Sequence, residues 1–426
     1  MSDETKTFSL AGKALKLSTA DDLSAHTSTL TTSPSAIEHV NFTGNTLGIE
    51  ASATLASTLK QCTNLLTANF SDIFTGRLLS EIPTALSNLL TALLECPKLH
   101  TIDLSDNAFG LNTVEPLRPF LSQHTPLQHL ILNNNGLGPS AGTLVAEALV
   151  QLADKKRQAR ADGREVVDLE TVVCGRNRLE TGSMAAWVKA YAANDKVQTV
   201  KMVQNGIRQE GIAVLLSQGL SCCKGLRVLD LQDNTFTALA AKTLAEVLGK
   251  WGQLRELGVG DCLLGGRGGV NVAAALAKGG NKDLEVLRLQ YNEIDGRGLK
   301  ALAEAVENVE GALPTLRRVE LNGNKFNEED PNIEKLQLAL AKRKENPEDK
   351  YPGVDEDDED AWGLDELDEL EDEDSEDEDE QAEDEGDAEE EKIVKDADEA
   401  ANEEVAQEKD KNVDDLADAL GKTEIK

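Results

Sequence analysis

Apolar residues recur along most of this chain in one pattern: apolar, two residues, apolar, one residue, apolar, and usually an asparagine three positions later. Clear examples are LHTIDLSDNAF from Leu99, LQHLILNNNGL from Leu127, LRVLDLQDNTF from Leu226 and LEVLRLQYNEI from Leu284. The alternation in the first half of each unit predicts a short strand. Second halves such as AGTLVAEALVQLA, from Ala141, place apolar residues at helical spacing and predict amphipathic helices.

The spacing of these units identifies the architecture. Their first apolar residues are separated by 28, 34, 28, 42, 28, 29, 28, 30 and 32 residues, so the base period is 28 to 29. A unit of this length holds a strand, a turn, a full helix and a return loop, and units of this kind are leucine-rich repeats. We therefore predict an α/β solenoid (horseshoe) of about 11 β-α units, similar to ribonuclease inhibitor. The first apolar residues are Ile37, Leu65, Leu99, Leu127, Leu169, Val197, Leu226, Leu254, Leu284 and Leu316.

The recurring asparagine marks the point where the chain leaves each strand and turns, which we name the ladder position. Backbone groups buried between neighbouring units must be paired there, and an inward amide can both donate and accept. We predict a structural role for this asparagine ladder, and for Cys262, which stands at the same position in its unit. The asparagines are Asn45, Asn107, Asn135, Asn177, Asn205, Asn234, Asn292 and Asn324.

Three regions are predicted along the chain. Residues 1–346 form the repeat domain with terminal caps, the first of which is FSLAGKALKL from Phe8. Residues 347–392 form an acidic segment that is expected to be disordered, because its composition offers too little apolar surface to offset the entropy of ordering. Residues 393–426 form a tail in which NVDDLADALGK could be a short helix. The basic insertion DKKRQARADGRE, from Asp154, is expected to be a solvated loop.

Charge and motifs narrow the function. The formal net charge is −35, and 26 of the 37 residues from Asp355 to Glu391 are Asp or Glu. This balance argues against nucleic acid and favours basic protein partners. No stretch approaches the ~20 apolar residues of a membrane span, so no membrane partner is expected. Phosphate-loop, HExxH and GxSxG motifs are absent, and no Cys–His set has metal-ligand spacing. Scattered cysteines and a polar amino terminus favour the cytosol or nucleus.

A candidate binding surface follows from the repeat. The residues just before the ladder position, which we name the rim row, lie where strands open into strand-to-helix loops. Because neighbouring strands are roughly 5 Å apart, its polar members in successive units should lie side by side. The rim row is Gly44, Asp72, Asp106, Asn134, Arg176, Gln204, Asp233, Asp261, Tyr291 and Gly323.

The second unit departs from the repeat. Its ladder position is Ile73 rather than asparagine, and a longer loop follows, Phe74-Thr75-Gly76-Arg77. Gly76 can adopt backbone angles that other residues avoid, so the loop is expected to project Arg77 from the rim. Two interpretations stay open from the residues alone: Arg77 is an ordinary surface charge, or it is a functional group.

The variable letters of several units resemble a known family. SDIFTGR, LSDNAFG, LNNNGLGP and CGRNRLE are similar to segments of the GTPase-activating proteins of the small GTPase Ran, in the fungal form without a folded domain after the acidic run. The resemblance implies that the chain binds Ran loaded with GTP and accelerates hydrolysis of the nucleotide. It implies a cytoplasmic, monomeric activator with no cofactor of its own, since GTP and Mg²⁺ belong to the GTPase. An accessory Ran-binding protein is a further expected partner.

The same resemblance implies site residues. Arg77 matches the loop arginine of the family, and Asn134 matches the rim asparagine that helps to hold the catalytic glutamine of Ran. Asp72 and Asp106 are expected to contact basic residues of Ran, and Gly76 and Arg176 complete the predicted partner-binding set. We assign Arg77 to binding and loop organisation rather than to charge stabilisation, because this family is thought to act without inserting an arginine at the nucleotide.

Two other functions remain open. A non-catalytic leucine-rich-repeat scaffold or inhibitor would share the period and the helices. An acidic chaperone for basic proteins such as histones would rest on the tail alone.

Overall fold

The computed structural model describes residues 6–307, 311–345 and 351–371. In most units a three-residue strand is followed by a turn and a helix. Most of the three-residue strands have a buried central residue between two half-exposed ones, because alternate side chains of a strand point to opposite faces. The buried residues and the helices enclose one continuous apolar core along the described repeats.

The strands have these bounds: β1 Thr7–Ser9, β2 Lys16–Leu17, β3 His39–Asn41, β4 Thr46–Leu47, β5 Thr67–Asn69, β6 Thr101–Asp103, β7 His129–Ile131, β8 Thr171–Val173, β9 Thr199–Lys201, β10 Val228–Asp230, β11 Glu256–Gly258, β12 Val286–Arg288, β13 Arg318–Glu320 and β14 Gly363–Leu364.

The helices have these bounds: α1 Ala20–Ser24, α2 Ser28–Thr32, α3 Ile49–Leu59, α4 Ile82–Leu93, α5 Leu117–Gln123, α6 Gly138–Ala161, α7 Met184–Ala193, α8 Gln209–Val214, α9 Thr237–Val247, α10 Gly265–Ala277, α11 Gly296–Glu307 and α12 Pro331–Arg343.

One parallel sheet runs through the described chain. It has twelve strands among these residues, in the order β1-β3-β5-β6-β7-β8-β9-β10-β11-β12-β13-β14. Equivalent repeat positions pair directly, as Ile102 with Leu130 and Leu130 with Val172. β2 and β4 form a separate two-stranded parallel sheet. The predicted α/β leucine-rich-repeat solenoid is confirmed, and eleven of the twelve strands precede the acidic segment.

The asparagine ladder is present as predicted. Asn135 is buried, and its Nδ2 donates to the carbonyls of Leu104 and Leu132 at 3.1 and 3.0 Å. Its Oδ1 accepts from the backbone N–H of Asn107 at 2.8 Å, and its own N–H donates to Asn177 Oδ1 at 3.0 Å. The amides therefore pair the buried backbone of successive units, which is a structural role. Cys262 Sγ occupies the corresponding place, 3.5 Å from the carbonyl oxygen of Leu231.

The basic insertion differs from the expected solvated loop. α6 continues through most of it and ends at Ala161. Lys156 is buried, and its Nζ donates to the carbonyls of Leu127 and Val167, the latter at 2.8 Å. Helix-favouring residues extend the helix. The inward-facing Lys156 joins it by hydrogen bonds to the segment that leads back to the next strand.

The beginning of the acidic segment also differs from expectation. Residues 351–371 are ordered against the last repeat, where β14 pairs in parallel with β13. Trp362 is buried, and its indole Nε1 donates to the carbonyl oxygen of Asp355 at 2.8 Å. Apolar residues spaced through the acidic run supply the buried surface that its overall composition conceals: Leu364, Leu367 and Leu370. The predicted disorder of the later acidic residues, and the short helix predicted in 393–426, lie outside the described residues.

The remaining sequence predictions concern thiols, membrane and metal. All six cysteines are free, and five of them are buried. None of the helices in the described ranges combines the length and apolarity needed to cross a bilayer. Across those same ranges, no group of three or more His, Cys, Asp or Glu side chains is arranged to hold a metal ion.

Candidate partner-binding rim

The rim row shares one backbone conformation. Every non-glycine residue in it has a positive φ, from 48° at Asp72 to 61° at Asp106, and Gly44 and Gly323 have φ near 70°. The backbone N–H groups of Asp72 and Asp106 donate to carbonyls of the following unit at 2.9 Å each. The left-handed turn thus pairs the rim backbone with the next unit, while Asp106, Asn134 and Arg176 are exposed.

Two predicted site residues are in direct contact. Asn134 Nδ2 donates to Asp106 Oδ1 at 2.7 Å, across neighbouring units. An ionised carboxylate only accepts hydrogen bonds, so it selects the NH₂ end of the amide. The carbonyl oxygen of the Asn134 side chain is therefore the atom left to face a partner.

The loop that contains Arg77 is held by a backbone hydrogen bond and by buried apolar side chains. The N–H of Arg77 donates to the Phe74 carbonyl at 3.0 Å and closes a tight turn in which Gly76 has a φ of 76°. Phe74 is buried with its ring 6.2 Å from that of Phe109 in the next unit. Ile73 replaces the ladder amide and is itself buried. Apolar packing and this backbone bond therefore both support the loop, and the N–H of Ile73 also donates to Asn107 Oδ1 at 2.9 Å.

The side chain of Arg77 does not project from the rim as the sequence predicts. It is half-buried and lies against the first unit. Its Nε donates to Thr46 Oγ1 at 2.6 Å, its Nη2 to the Thr46 carbonyl at 2.9 Å, and its Nη1 to Ser18 Oγ at 3.0 Å. The guanidinium group finds these acceptors because the short β2–β4 sheet places Ser18 and Thr46 beside the loop.

Sequence reasoning missed Ser18 and Thr46. Their contacts with Arg77 span 59 and 31 residues, and they depend on how the amino-terminal cap is aligned with the first unit. The available sequence signal was the position of Thr46, directly after the ladder residue Asn45 at the start of a rim loop.

The predicted site residues therefore lie at one edge of the sheet in two sets. Asp106 and Asn134 contact each other, and Arg176 follows in the next unit of the rim row. Arg77 is bonded toward the first unit instead, while Asp72 accepts a hydrogen bond from Thr75 in its own loop. Parallel strands bring both sets to the same carboxyl edge, where they begin in adjacent units, and Arg77 and Asn134 lie two units apart.

The rim becomes acidic further along. A groove of about 440 Å³ lies at the loops of the units that contribute Gln204, Asp233 and Asp261. Burial raises the pKa of Asp233, and the negative charge of Asp261 adds to the increase. This groove extends the exposed polar edge beyond Arg176.

Comparison with known proteins identifies the family. The model of a family described as Leucine Rich repeat matches residues 280–303. The Ran GTPase-activating protein 1 of Saccharomyces cerevisiae is 40% identical over 79% of this chain and 82% of its own. The Ran GTPase-activating protein of Drosophila melanogaster is 33% identical over 81% of this chain and 58% of its own. Among solved structures, an internalin of Listeria monocytogenes aligns with a TM-score of 0.41 and 14% identity over 72% of this chain and 79% of its own. The identity and coverage shared with the yeast protein show that this chain belongs to the family of Ran GTPase-activating proteins.

Proposed function

We propose that this protein binds the GTP-loaded form of Ran and accelerates hydrolysis of the bound nucleotide. Membership of the family supports the activity, since its yeast relative is 40% identical over 344 residues, or 79% of this chain. The contact between Asp106 and Asn134 at the rim is the observation that supports the site. It presents one amide in a fixed orientation on an exposed edge suited to a folded partner.

The chemistry requires little from the activator. Phosphoryl transfer is catalysed mainly by positioning and by stabilising charge, and the GTPase supplies its own phosphate cradle, Mg²⁺ and water-orienting glutamine. We assign Asn134 to holding that glutamine: its free carbonyl oxygen can accept from the NH₂ group of a glutamine side chain. Ordering one side chain suffices for a large acceleration, because a small misplacement of a catalytic group lowers the reaction rate by a large factor.

Arg77 has an organising role in this proposal. Three of its five N–H groups donate to Ser18 and Thr46, so its charge is held against its own chain. A guanidinium inserted at the nucleotide would have to give up those bonds. We therefore assign Arg77 to binding at the interface and to holding its already formed loop against the first unit.

The remaining rim residues define the contact surface. Asp72, Asp106 and Arg176 present charge along the edge, and Gly76 lets the loop approach a partner closely. We propose that the protein acts as a monomer in the cytoplasm, as an activator whose catalytic groups are mostly those of Ran. The acidic charge would accelerate encounter with basic surfaces.

A turnover assay tests the activity. Catalytic amounts of the protein are added to Ran·GTP, and released phosphate is measured over time. An activator releases many phosphates per molecule of protein. A scaffold or inhibitor gives no increase over intrinsic hydrolysis, which would overturn the proposal.

A further inference from the structure

The amino-terminal cap, residues 6–36, covers the end of the core, but it also contacts a functional side chain. We propose that Ser18 of this cap and Thr46 of the first unit are positioning residues that set the orientation of Arg77. The cap is then part of the GTPase-activating site rather than only its end cover. This inference rests on the proposed function and names the residues on which its arginine depends.

The hydrogen bonds define the orientation of the guanidinium group. Thr46 accepts from Nε through its hydroxyl and from Nη2 through its carbonyl, and Ser18 accepts from Nη1. Because all three nitrogens of the planar guanidinium group donate, these bonds fix the orientation of its plane as well as its position. Hydrogen bonds donated by a charged group are stronger than those between neutral partners, so this arrangement is well held.

The acceptors are themselves held by backbone pairing. Thr46 lies opposite Lys16 in the two-stranded sheet, and its N–H donates to the Leu15 carbonyl at 2.8 Å. The N–H of Ser18 donates to Asp22 Oδ2 at 3.0 Å. Asp22 also accepts from the backbone of Thr19, which is the main reason that its pKa is lowered.

A glycine at the edge of this arrangement shows how closely it is packed. A Cβ at Gly48 would stand 2.9 Å from the Ser18 carbonyl oxygen and 3.1 Å from Arg77 Nη1. Any larger residue would push the cap and the guanidinium group apart. The space available for the arginine is therefore set by the cap and the first unit together.

These bonds position the side chain without building the loop. The turn is already closed by the bond from the Arg77 N–H to the Phe74 carbonyl and by burial of Ile73 and Phe74. Removing the hydroxyls of Ser18 and Thr46 would leave that turn in place and would remove two of the three hydrogen bonds that orient the guanidinium group, leaving only the bond to the Thr46 carbonyl. The consequence to look for is lost activation rather than lost fold.

A double-mutant cycle separates these effects, because residues that act through one another are non-additive. We compare Ser18→Ala/Thr46→Val, Arg77→Ala and the combined variant by kcat/KM for Ran·GTP hydrolysis. The hydroxyl-free pair should lose roughly tenfold or more, but less than about twofold when Arg77 is already alanine. The conservative pair Ser18→Thr/Thr46→Ser keeps both hydroxyls and should stay within about threefold of the unaltered protein.

A matched control uses hydroxyls of the same cap. Ser24 and Thr32 are exposed, and among the described residues their hydroxyls bond only within their own helices, so Ser24→Ala/Thr32→Val should leave kcat/KM unchanged. If Ser18→Ala/Thr46→Val behaves like this control, or lowers the Arg77→Ala variant by the same factor, the positioning role is wrong while the proposed function stands. If the unaltered protein releases no extra phosphate, the proposed function and this inference both fail.

Discussion

Asn134 and Asp106 form a hydrogen bond of 2.7 Å between neighbouring units of the rim row. Because the carboxylate can only accept, it binds the NH₂ group of the Asn134 side chain and leaves the amide oxygen facing outward. The two residues occupy the same backbone conformation, with φ values of 51° and 61°. The repeat thus converts two positions 28 residues apart in sequence into one oriented pair.

The first prediction concerns Asn134. Replacing it with alanine should reduce the single-turnover rate of GTP hydrolysis in the complex about 100-fold, as removal of one preorganised polar group does elsewhere. Affinity for Ran·GTP should change by less than about threefold, because the site keeps its other contacts. Gln204→Ala, two units further along the rim row, is the control and should keep a normal rate. A normal single-turnover rate for Asn134→Ala would disprove its assignment.

The second prediction concerns the shape of the Arg77 side chain. Arg77→Ala should lower kcat/KM by at least ~100-fold. Arg77→Lys should also lower it, by about tenfold or more, since an ammonium cannot bond to both sides of the site as a planar guanidinium does. Thermal midpoints should stay within a few degrees, because the loop keeps its buried anchors. Arg157→Ala, on the exposed face of α6, should leave hydrolysis unchanged; full activity in Arg77→Lys would show that charge alone matters.

The third prediction concerns stability in acid. His124 is buried, stacks on Phe120 and bonds through Nε2 to the Leu99 carbonyl. Burial lowers the pKa of His124 from 6.5 to about 4. Between those values the unfolded chain binds a proton that the folded chain does not, so stability falls as pH drops from 6.5 to 4. The loss attributable to this residue should be about 3 kcal/mol.

Denaturant unfolding at several pH values measures this loss. His124→Gln can still donate to the Leu99 carbonyl but does not titrate in this range. The difference in unfolding free energy between the two proteins should therefore change with pH between 6.5 and 4 and stay constant above 7. A difference that is independent of pH would mean that His124 titrates normally.

The fourth prediction concerns residues 351–371. Ending the chain at Glu345 removes β14 and the buried Trp362, which leaves β13 as an open edge. The thermal midpoint should fall, and Trp362→Ala alone should cost about 3 kcal/mol. Ending the chain at Glu371 keeps these contacts and should leave the midpoint unchanged. Equal midpoints for the two truncations would show that the ordered acidic residues add nothing to stability.

The fifth prediction concerns the acidic residues after Glu371. Their charge should increase the rate of association with Ran·GTP at low salt, and salt should screen the effect. The chain ending at Glu371 should therefore associate more slowly at low salt and show a weaker salt dependence. Its single-turnover rate once bound should be unchanged. Identical association kinetics for the two chains at low ionic strength would rule out this role.

The repeat made the main part of the fold predictable. Strand positions, the asparagine ladder and the rim row all follow from one period, and the structure repeats the pattern unit after unit. The interactions of Arg77 were not predictable in this way. Its partners Ser18 and Thr46 belong to the irregular cap and to a two-residue sheet, neither of which has a period.

Composition misled in two places. In the insertion, the many charged residues concealed a helix. One of them, Lys156, is buried there because its ammonium group donates to backbone carbonyls. In the acidic segment, the average over many carboxylates concealed Trp362, which is buried, and Leu364, which lies in the strand added to the sheet. Local apolar spacing was the better guide in both segments, since burial depends on individual side chains.

The shared left-handed backbone of the rim row restricts which amino acids evolution can place there. Asparagine, aspartate and glycine tolerate this conformation, whereas valine, isoleucine and threonine are strongly disfavoured by their branched Cβ. The rim row, which we propose meets the partner, therefore uses few residue types and consists mostly of small polar residues and glycine. New specificity in such a protein would have to arise in the loops beyond the row, where Leu78 and Leu79 are already exposed.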